Sequence, residues 1–174
     1  PQVGRLDTVN LCGEQPLLPY EACNLGSVNL AAHLKPSKGR QSTVGDYVID
    51  WKELKETVRI GVRLLDNVVS VCTYPIDKID AVVKANRKVG LGVMGWADVL
   101  VKMGMVYGSD ESLRLAEKVM KTIQQTAWQT SEALGKEKGN FPNFKGSLWE
   151  KRGYKHFRNA TTTTIAPTGS ISMV

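Results

Sequence analysis

A stripe of apolar residues at helical spacing runs through residues 50–72, and it requires a core to cover it. Residues three, four or seven positions apart share one face of a helix. The stripe comprises Leu54, Val58, Leu65, Val69 and Cys72. Asp50 is suited to cap such a helix and Pro75 to follow its end. In a chain of 174 residues with 42% hydrophobic and 23% charged side chains, this pattern indicates a globular fold.

Segments with strand character lie on both sides of a helical region. Residues 24–34 have strand character, and the β-branched run at 161–165 is suited to a second strand. We expect further helices over about residues 77–87, 94–103 and 110–134, with Gly135 and Gly139 as stops. A loop at 35–45, a glycine-rich turn before residue 94 and a loop-rich passage at 140–154 connect them. The predicted order is therefore loop and strand, then helices, then strand and loop.

A carboxamide, a thiol and a carboxylate alternate in the phrase that contains Asn10, Cys12 and Glu14. In extended backbone, alternate side chains point to one face, so the three groups would share a small volume. Such a set suits chemistry on a hydroxylated substrate, with Glu14 as acid or base and Cys12 as the reactive sulfur. The alternative from these residues alone is a turn with a buried cysteine, since free Cys is often buried.

The segment Pro167-Thr168-Gly169-Ser170 has the composition of an anion-binding turn. Pro167 ends the hydrogen-bonding ladder of the preceding strand, and Gly169 permits close approach of the backbone. Thr168 and Ser170 add hydroxyl donors, and exposed N–H groups in such a turn favour phosphate. An ordinary Ser/Thr-Gly turn is the alternative that these residues leave open.

Other reactive side chains lack a partner pattern in the sequence. Cys72 lies in an apolar stretch near the end of a predicted helix, which favours a core thiol. His33 and His156 have no metal-type spacing, and the three cysteines form no C-x-x-C pair, so no metal site is predicted. The glycines at 90, 92 and 95 match a dinucleotide fingerprint, but no β-branched strand precedes them, and close helix packing explains them better.

The formal net charge of +6 raises the question of a nucleic-acid partner. Residues 151–158 form the densest basic stretch and contain interleaved aromatics, a composition that can bind a phosphate backbone. The other basic residues are scattered beside acids, so a solvated surface is favoured and nucleic-acid binding is kept as a minor alternative. No apolar run is long enough to cross a bilayer and no signal-peptide pattern is present, from which we expect no membrane partner and a cytoplasmic location.

Four phrases in order resemble the ribonucleotide reductase large (catalytic) chain. They are residues 10–17 (NLCGEQPL), 20–30 (YEACNLGSVNL), 85–98 (ANRKVGLGVMGWAD) and 158–172, which ends in IAPTGSIS. The sequence of these segments is most similar to that of the adenosylcobalamin-dependent, class II branch. The resemblance implies radical-based reduction of ribonucleotides to deoxyribonucleotides, and so an enzyme. It also implies adenosylcobalamin as cofactor, a ribonucleoside di- or triphosphate as substrate, and a thioredoxin-like or other dithiol reductant.

The resemblance also assigns roles to particular residues. Cys12 would become the thiyl radical that removes hydrogen from C3′, Glu14 would take the 3′-hydroxyl proton, and Asn10 would hold substrate hydroxyls. Cys23 would be one half of the redox pair, with its partner outside this sequence. The substrate-binding residues implied in this way are Asn10, Leu11, Cys12, Gly13 and Glu14 together with Pro167, Thr168, Gly169, Ser170 and Ile171.

The family's fold is a ten-stranded α/β barrel with the radical cysteine on a central finger loop. Residues 1–174 would form one partial barrel segment, with the finger loop and following strand at 1–34, a helical region at 46–139, and a strand and phosphate loop at 158–174. We expect such a piece to be inactive alone. A class I large subunit, which needs a metal-containing radical-generating partner, and a non-catalytic phosphate- or nucleic-acid-binding module remain the alternatives.

Overall fold

The predicted central helix is present, and it organises the packing around it. The computed structural model describes residues 2–37 and 43–173; residue 1, residue 174 and part of the predicted loop at 35–45 lie outside this range. Helix α1 covers Trp51–Val71, and the Asp50 carboxylate accepts hydrogen bonds from the N–H groups of Lys52 and Glu53. Its apolar stripe is buried, with Leu54 and Val58 fully inaccessible to solvent. The predicted helix and its N-cap are therefore confirmed.

Three parallel segments form the sheet on which α1 packs. Strand β3 (Asn24–Asn29) pairs in parallel with β6 (Val89–Met94), with Asn24 opposite Val89 and Asn29 opposite Met94. Residues 161–164 extend the sheet on the other side of β6, where the Leu91 N–H donates to the Thr162 carbonyl at 2.9 Å. Parallel strands joined through helices are the arrangement expected of an α/β fold.

Two strand predictions need correction. The glycine-rich stretch before residue 94 is strand β6 rather than a turn, because it lies between two parallel neighbours that satisfy its backbone groups. Strand β3 ends at Asn29 instead of continuing to residue 34. The Asn29 side chain accepts a hydrogen bond from the Ala31 N–H and starts the 3₁₀ turn Leu30–His33. Cap formation by this local Asn bond competes with strand pairing.

The remaining helices follow the predicted order. Helix α2 covers Asp77–Asn86, α3 covers Trp96–Met103 and α4 covers Asp110–Lys138, while a short α5 covers Leu148–Lys151. Helix α4 passes through Gly135 and ends at Gly139, so the predicted stop at Gly135 is wrong. A Cβ at this position would lie 2.6 Å from the Phe157 nitrogen. The glycine therefore allows Phe157 to pack closely against the helix and does not end it.

Two small antiparallel pairs complete the fold. Strands β1 (Thr8–Val9) and β2 (Pro16–Leu17) form a hairpin whose connecting loop contains residues 10–15. Strands β4 (Leu34–Pro36) and β5 (Tyr47–Ile49) pair before α1. The main core lies between the sheet, α1 and α4, and a second, aromatic cluster lies beside the end of α4.

Candidate active site

The loop that carries Cys12 is the tip of the β1–β2 hairpin. The Asn10 N–H donates to the Gln15 carbonyl at 3.1 Å, and the Asn10 side-chain oxygen accepts from the Gln15 N–H at 2.9 Å. The Gly13 N–H donates to the Asn10 carbonyl, and Gly13 has a φ of 86° that favours glycine. The prediction of extended backbone at residues 10–14 is therefore wrong: the chain turns here, and the Asn10 side chain closes the turn.

The turn leaves Cys12 and Leu11 exposed. The predicted buried-cysteine alternative is thus excluded for Cys12, whose thiol is available to a reactant outside the chain. Cys12 therefore has the access that the predicted radical role requires, while the role itself stays a prediction.

Glu14 faces inward from the same loop. Its backbone carbonyl accepts a hydrogen bond from the Thr164 hydroxyl at 3.1 Å, which ties the hairpin tip to the third parallel segment. Its carboxylate oxygen Oε2 is buried and has no hydrogen-bond partner among the described residues. A buried acceptor without a partner is costly, and such groups are concentrated at sites that bind a further donor.

Cys23 lies just before β3, close enough to Glu14 for the two to interact electrostatically. Burial raises the pKa of the Cys23 thiol above its ordinary value, and the negative charge of Glu14 raises this pKa further. Lys88 and a backbone hydrogen bond oppose these effects and lower the pKa, while Glu21 raises it slightly. The thiol is thus held in its protonated, hydrogen-donating form near neutral pH.

Glycines in β6 make room for the hairpin. A Cβ at Gly90 would lie 2.8 Å from the Gln15 side-chain nitrogen, and one at Gly92 would lie 2.6 Å from the Thr164 carbonyl oxygen. The prediction that these glycines serve close helix packing is therefore wrong for both. These glycines allow the β1–β2 hairpin and the third parallel segment to approach strand β6 closely.

Sequence reasoning assigned no role to a buried ionic cluster at the base of the hairpin. We call it the latch, and it consists of Glu21, Lys88 and Asn86. The Lys88 ammonium donates to Glu21 Oε2 at 2.7 Å and to the Pro16 carbonyl at 2.8 Å, and the Asn86 side-chain amide donates to Glu21 Oε1 at 2.6 Å. The Glu21 side chain is 0% exposed. The signal available in the sequence was a Lys placed directly before an apolar strand.

A second buried network, also missed from the sequence, centres on Asp66 of α1. Its carboxylate accepts hydrogen bonds from Arg87 at 2.9 Å and from the Asn159 amide at 3.0 Å, and Arg158 lies at 3.4 Å. The Ser131 hydroxyl of α4 donates to the Asn159 side-chain oxygen. This network joins α1, the end of α2, α4 and the residues that lead into the third parallel segment at 161–164.

The predicted phosphate segment follows Thr164 and turns back on itself. The Ser172 N–H donates to the Thr168 carbonyl at 3.0 Å, and Thr168 has a φ of 61°. Pro167, Gly169, Ser170 and Ile171 are exposed. The turn begins three residues after Thr164, whose hydroxyl donates to the Glu14 carbonyl. The phosphate-binding role of the turn stays a prediction.

The basic stretch at 151–158 does not display its aromatics to solvent. Phe157 is fully buried and stacks on Trp149 with ring centroids 3.9 Å apart, and Tyr154 packs edge-on against both. Arg152 lies over the Trp149 ring, and Arg158 is held by Asp66. The aromatic side chains of this stretch therefore belong to the aromatic core, and two of its arginines already have partners within the chain. Both findings argue against the nucleic-acid alternative.

The other predicted residues occupy ordinary structural positions. The His33 ring bonds the Asn29 carbonyl and the Thr57 hydroxyl, both at 2.9 Å. Cys72 is half-buried at the end of α1. Within residues 2–37 and 43–173, no cluster of three or more His, Cys, Asp or Glu side chains is arranged to bind a metal. Over the same residues, every helix is too short or too polar to span a bilayer.

Comparison with known proteins identifies a family. Residues 1–158 match the model of the ribonucleotide reductase barrel domain. The chain is 48% identical over 172 residues to a vitamin B12-dependent ribonucleoside-diphosphate reductase of Thermoplasma acidophilum, covering 99% of this chain and 21% of that protein. A protein of the same description from Mycobacterium tuberculosis is 45% identical over 174 residues, covering 100% and 23%. A ribonucleoside-diphosphate reductase subunit alpha of Chlamydia pneumoniae is 36% identical, covering 87% and 14%. The chain thus spans less than a quarter of the length of these relatives.

Proposed function

The chain belongs to the ribonucleotide reductase barrel-domain family, and from this premise we propose that it supplies catalytic residues for the reduction of ribonucleotides to deoxyribonucleotides. The observation that carries the proposal is the hairpin tip, which exposes the Cys12 thiol and carries a buried Glu14 oxygen without a hydrogen-bond partner among the described residues. These are the two groups that a radical reaction at a ribose needs: a hydrogen acceptor for the carbon and a proton acceptor for the hydroxyl.

In the proposed reaction, a Cys12 thiyl radical takes the hydrogen atom from C3′ of the ribose, forming an S–H bond and a carbon radical. Glu14 takes the proton from the 3′-hydroxyl and returns it when that hydroxyl is restored at the end of the cycle. The 2′-hydroxyl leaves as water, and two thiols supply the two electrons and two protons that this loss requires. Cys23 is one of these thiols and ends in a disulfide with a thiol outside this chain, while the hydrogen on Cys12 returns to C3′.

Adenosylcobalamin fits this site as an outside source of the radical, which it supplies when bound. The supporting feature is the exposure of Cys12 at the hairpin tip, where an external group can reach the sulfur. This chain's own part is to hold that thiol in place through the turn closed by Asn10. We assign none of the described residues to binding the cofactor.

The substrate is proposed to be a ribonucleoside di- or triphosphate, and the reductant a thioredoxin-like or other dithiol protein. The exposed turn at 167–171 would receive the phosphates, and Asn10, Leu11 and Gly13 would line the sugar. The relatives from Thermoplasma acidophilum and Mycobacterium tuberculosis are ribonucleoside-diphosphate reductases, which supports a diphosphate substrate.

The test is nucleotide reduction by the full-length parent with a dithiol, with and without adenosylcobalamin, beside three single variants. We expect turnover to require the cobalamin, to vanish in Cys12→Ser, and to give no completed turnover in Cys23→Ser, although radical formation remains possible there. Cys72→Ser, which changes the half-buried thiol at the end of α1, is the matched control and should retain turnover. Undiminished turnover by Cys12→Ser would refute the radical role.

The alternative hypothesis is a class I large subunit with a metal-containing partner subunit. It predicts activity only when that partner is added. The identities favour the cobalamin-dependent branch, at 45–48% against 36% for the Chlamydia pneumoniae subunit alpha. Activity without cobalamin but with such a partner would move the protein to class I and leave the proposed roles of Cys12 and Glu14 unchanged.

A further inference from the structure

The loop that carries Cys12 is short, and its base is fixed by charge rather than by a long strand pair. Strands β1 and β2 contribute two residues each, which is too little ladder to hold a hairpin in one position. We propose that Lys88 is a positioning residue, which fixes the place of the Cys12 loop on the sheet through the latch. The inference rests on the proposed function for its catalytic consequence but not for its structural claim.

The contacts of Lys88 converge on the chain where it leaves the loop. Its ammonium donates to the carbonyl of Pro16, the first residue after the loop, at 2.8 Å. It also donates to Glu21 Oε2, and this same oxygen accepts the Leu18 N–H at 2.8 Å. Two backbone groups of the hairpin's exit, the Pro16 carbonyl and the Leu18 N–H, are thus bound by one lysine and one carboxylate.

The latch is rigid on its sheet side. Lys88 directly precedes β6, whose backbone is paired on both edges. Asn86, at the end of α2, donates to Glu21 Oε1 and accepts from the Asn143 side chain at 2.8 Å. The side chains of Glu21 and Lys88 are 0% and 10% exposed, so salt does not screen the pair as it screens a surface pair.

The second attachment of the loop is weaker. At its tip the loop is held by the neutral hydrogen bond from Thr164 to the Glu14 carbonyl. Charge-assisted hydrogen bonds are about twice as strong as neutral ones, and the latch makes several. Pro16 is two residues from Glu14, so a displacement at the latch moves Glu14 and Cys12 together. Misplacement of reacting groups by about 1 Å can cost on the order of a hundredfold in rate.

The test compares Lys88→Met with Lys84→Met in the full-length parent. Lys84 is the matched control because it is a half-exposed lysine of α2, paired with Asp80. We measure hydrogen exchange of the peptide covering residues 6–18, and kcat and KM for nucleotide reduction. Lys88→Met should speed exchange in this peptide by about tenfold or more and lower kcat by about tenfold to a hundredfold, with KM within about twofold. Lys84→Met should change neither.

Unchanged exchange at residues 6–18 in Lys88→Met would overturn the proposal, as would a fall in kcat without any change in exchange. If Lys88→Met does not fold, Glu21→Gln decides: it retains the shape and removes the charge, and it must speed exchange in the same peptide. Hydrogen exchange needs no turnover. Faster exchange in a parent that reduces no nucleotide would therefore support the positioning role and reject the proposed function.

Discussion

At the scale of single residues, Glu14 joins the parts of the candidate site. Its carbonyl is bound by Thr164, its carboxylate lies buried without a partner in the described structure, and its charge raises the pKa of Cys23. The sequence identified Glu14 and Cys23 as chemical groups. Their electrostatic coupling depends on the turn of the hairpin, because they are nine positions apart along the chain.

Replacing Glu14 with Gln should lower the pKa of Cys23. The change removes a nearby negative charge that disfavours the thiolate, while burial continues to hold the pKa above its ordinary value. More thiolate is then present at a given pH, so the midpoint of Cys23 alkylation by iodoacetamide moves to lower pH. Mass spectrometry of the alkylated parent protein measures the shift at this residue.

Glu111→Gln, at an exposed position in the first turn of α4, is the control and should leave the midpoint in place. A midpoint that stays or rises in Glu14→Gln would contradict the coupling. The raised pKa also has a stability consequence: the contribution of Cys23 is fully present below about pH 8.5 and is lost as pH rises through the folded-state pKa.

At the scale of elements, the close spacing of β6 and the third parallel segment explains the glycine-rich sequence. Gly92 faces the Thr164 carbonyl oxygen, and Thr164 in turn holds Glu14. Gly26 in β3 lies in the same sheet but meets only Leu side chains, the nearest atom at 3.6 Å. Two glycines of one sheet thus differ in whether backbone or side chain occupies the space beside them.

Gly92→Ala should displace residues 161–164 from β6, because the added Cβ would meet a backbone oxygen at 2.6 Å that cannot rotate away. We expect faster hydrogen exchange at residues 161–164 and a large loss of activity in the parent enzyme. Gly26→Ala, whose Cβ would make ordinary contacts, should be tolerated or slightly stabilising. Equal effects of the two substitutions would contradict this explanation.

At the scale of the whole molecule, the Asp66 network holds the helices and the third parallel segment together. Arg87 reaches Asp66 from the end of α2, and Arg158 reaches it while also donating to the carbonyls of Lys138 and Gly139 at the end of α4. Two of the four phrases that resemble the reductase family, at 85–98 and 158–172, thus supply framework contacts in addition to any part in chemistry.

Asp66→Asn should destabilise the parent protein strongly. The substitution preserves shape but leaves the buried Arg87 and Arg158 without a counter-charge, at a cost of about 3–5 kcal/mol. Thermal unfolding followed by circular dichroism should show a midpoint lower by several degrees or more. Glu137→Gln, which breaks the exposed pair with Arg63, should change the midpoint little. An Asp66→Asn midpoint equal to that of Glu137→Gln would refute the importance of the network.

The sequence by itself determined the local features that depend on neighbouring residues. The apolar stripe and Asp50 defined α1 correctly, and Gly139 marked the end of α4. The reactive residues of the hairpin were also identified, because their types and spacing resemble a known family. These features require no knowledge of what lies elsewhere in the fold.

Only the tertiary structure decided the features set by distant partners. Strand β6 has weak local strand character, and it forms because β3 and residues 161–164 pair with it. Gly135 continues a helix because Phe157 packs against it. The latch joins Glu21 to Lys88 across 67 positions of sequence, and burial makes that pair strong. Such contacts cannot be found from local pattern, because their energy depends on which residues the fold brings together and removes from water.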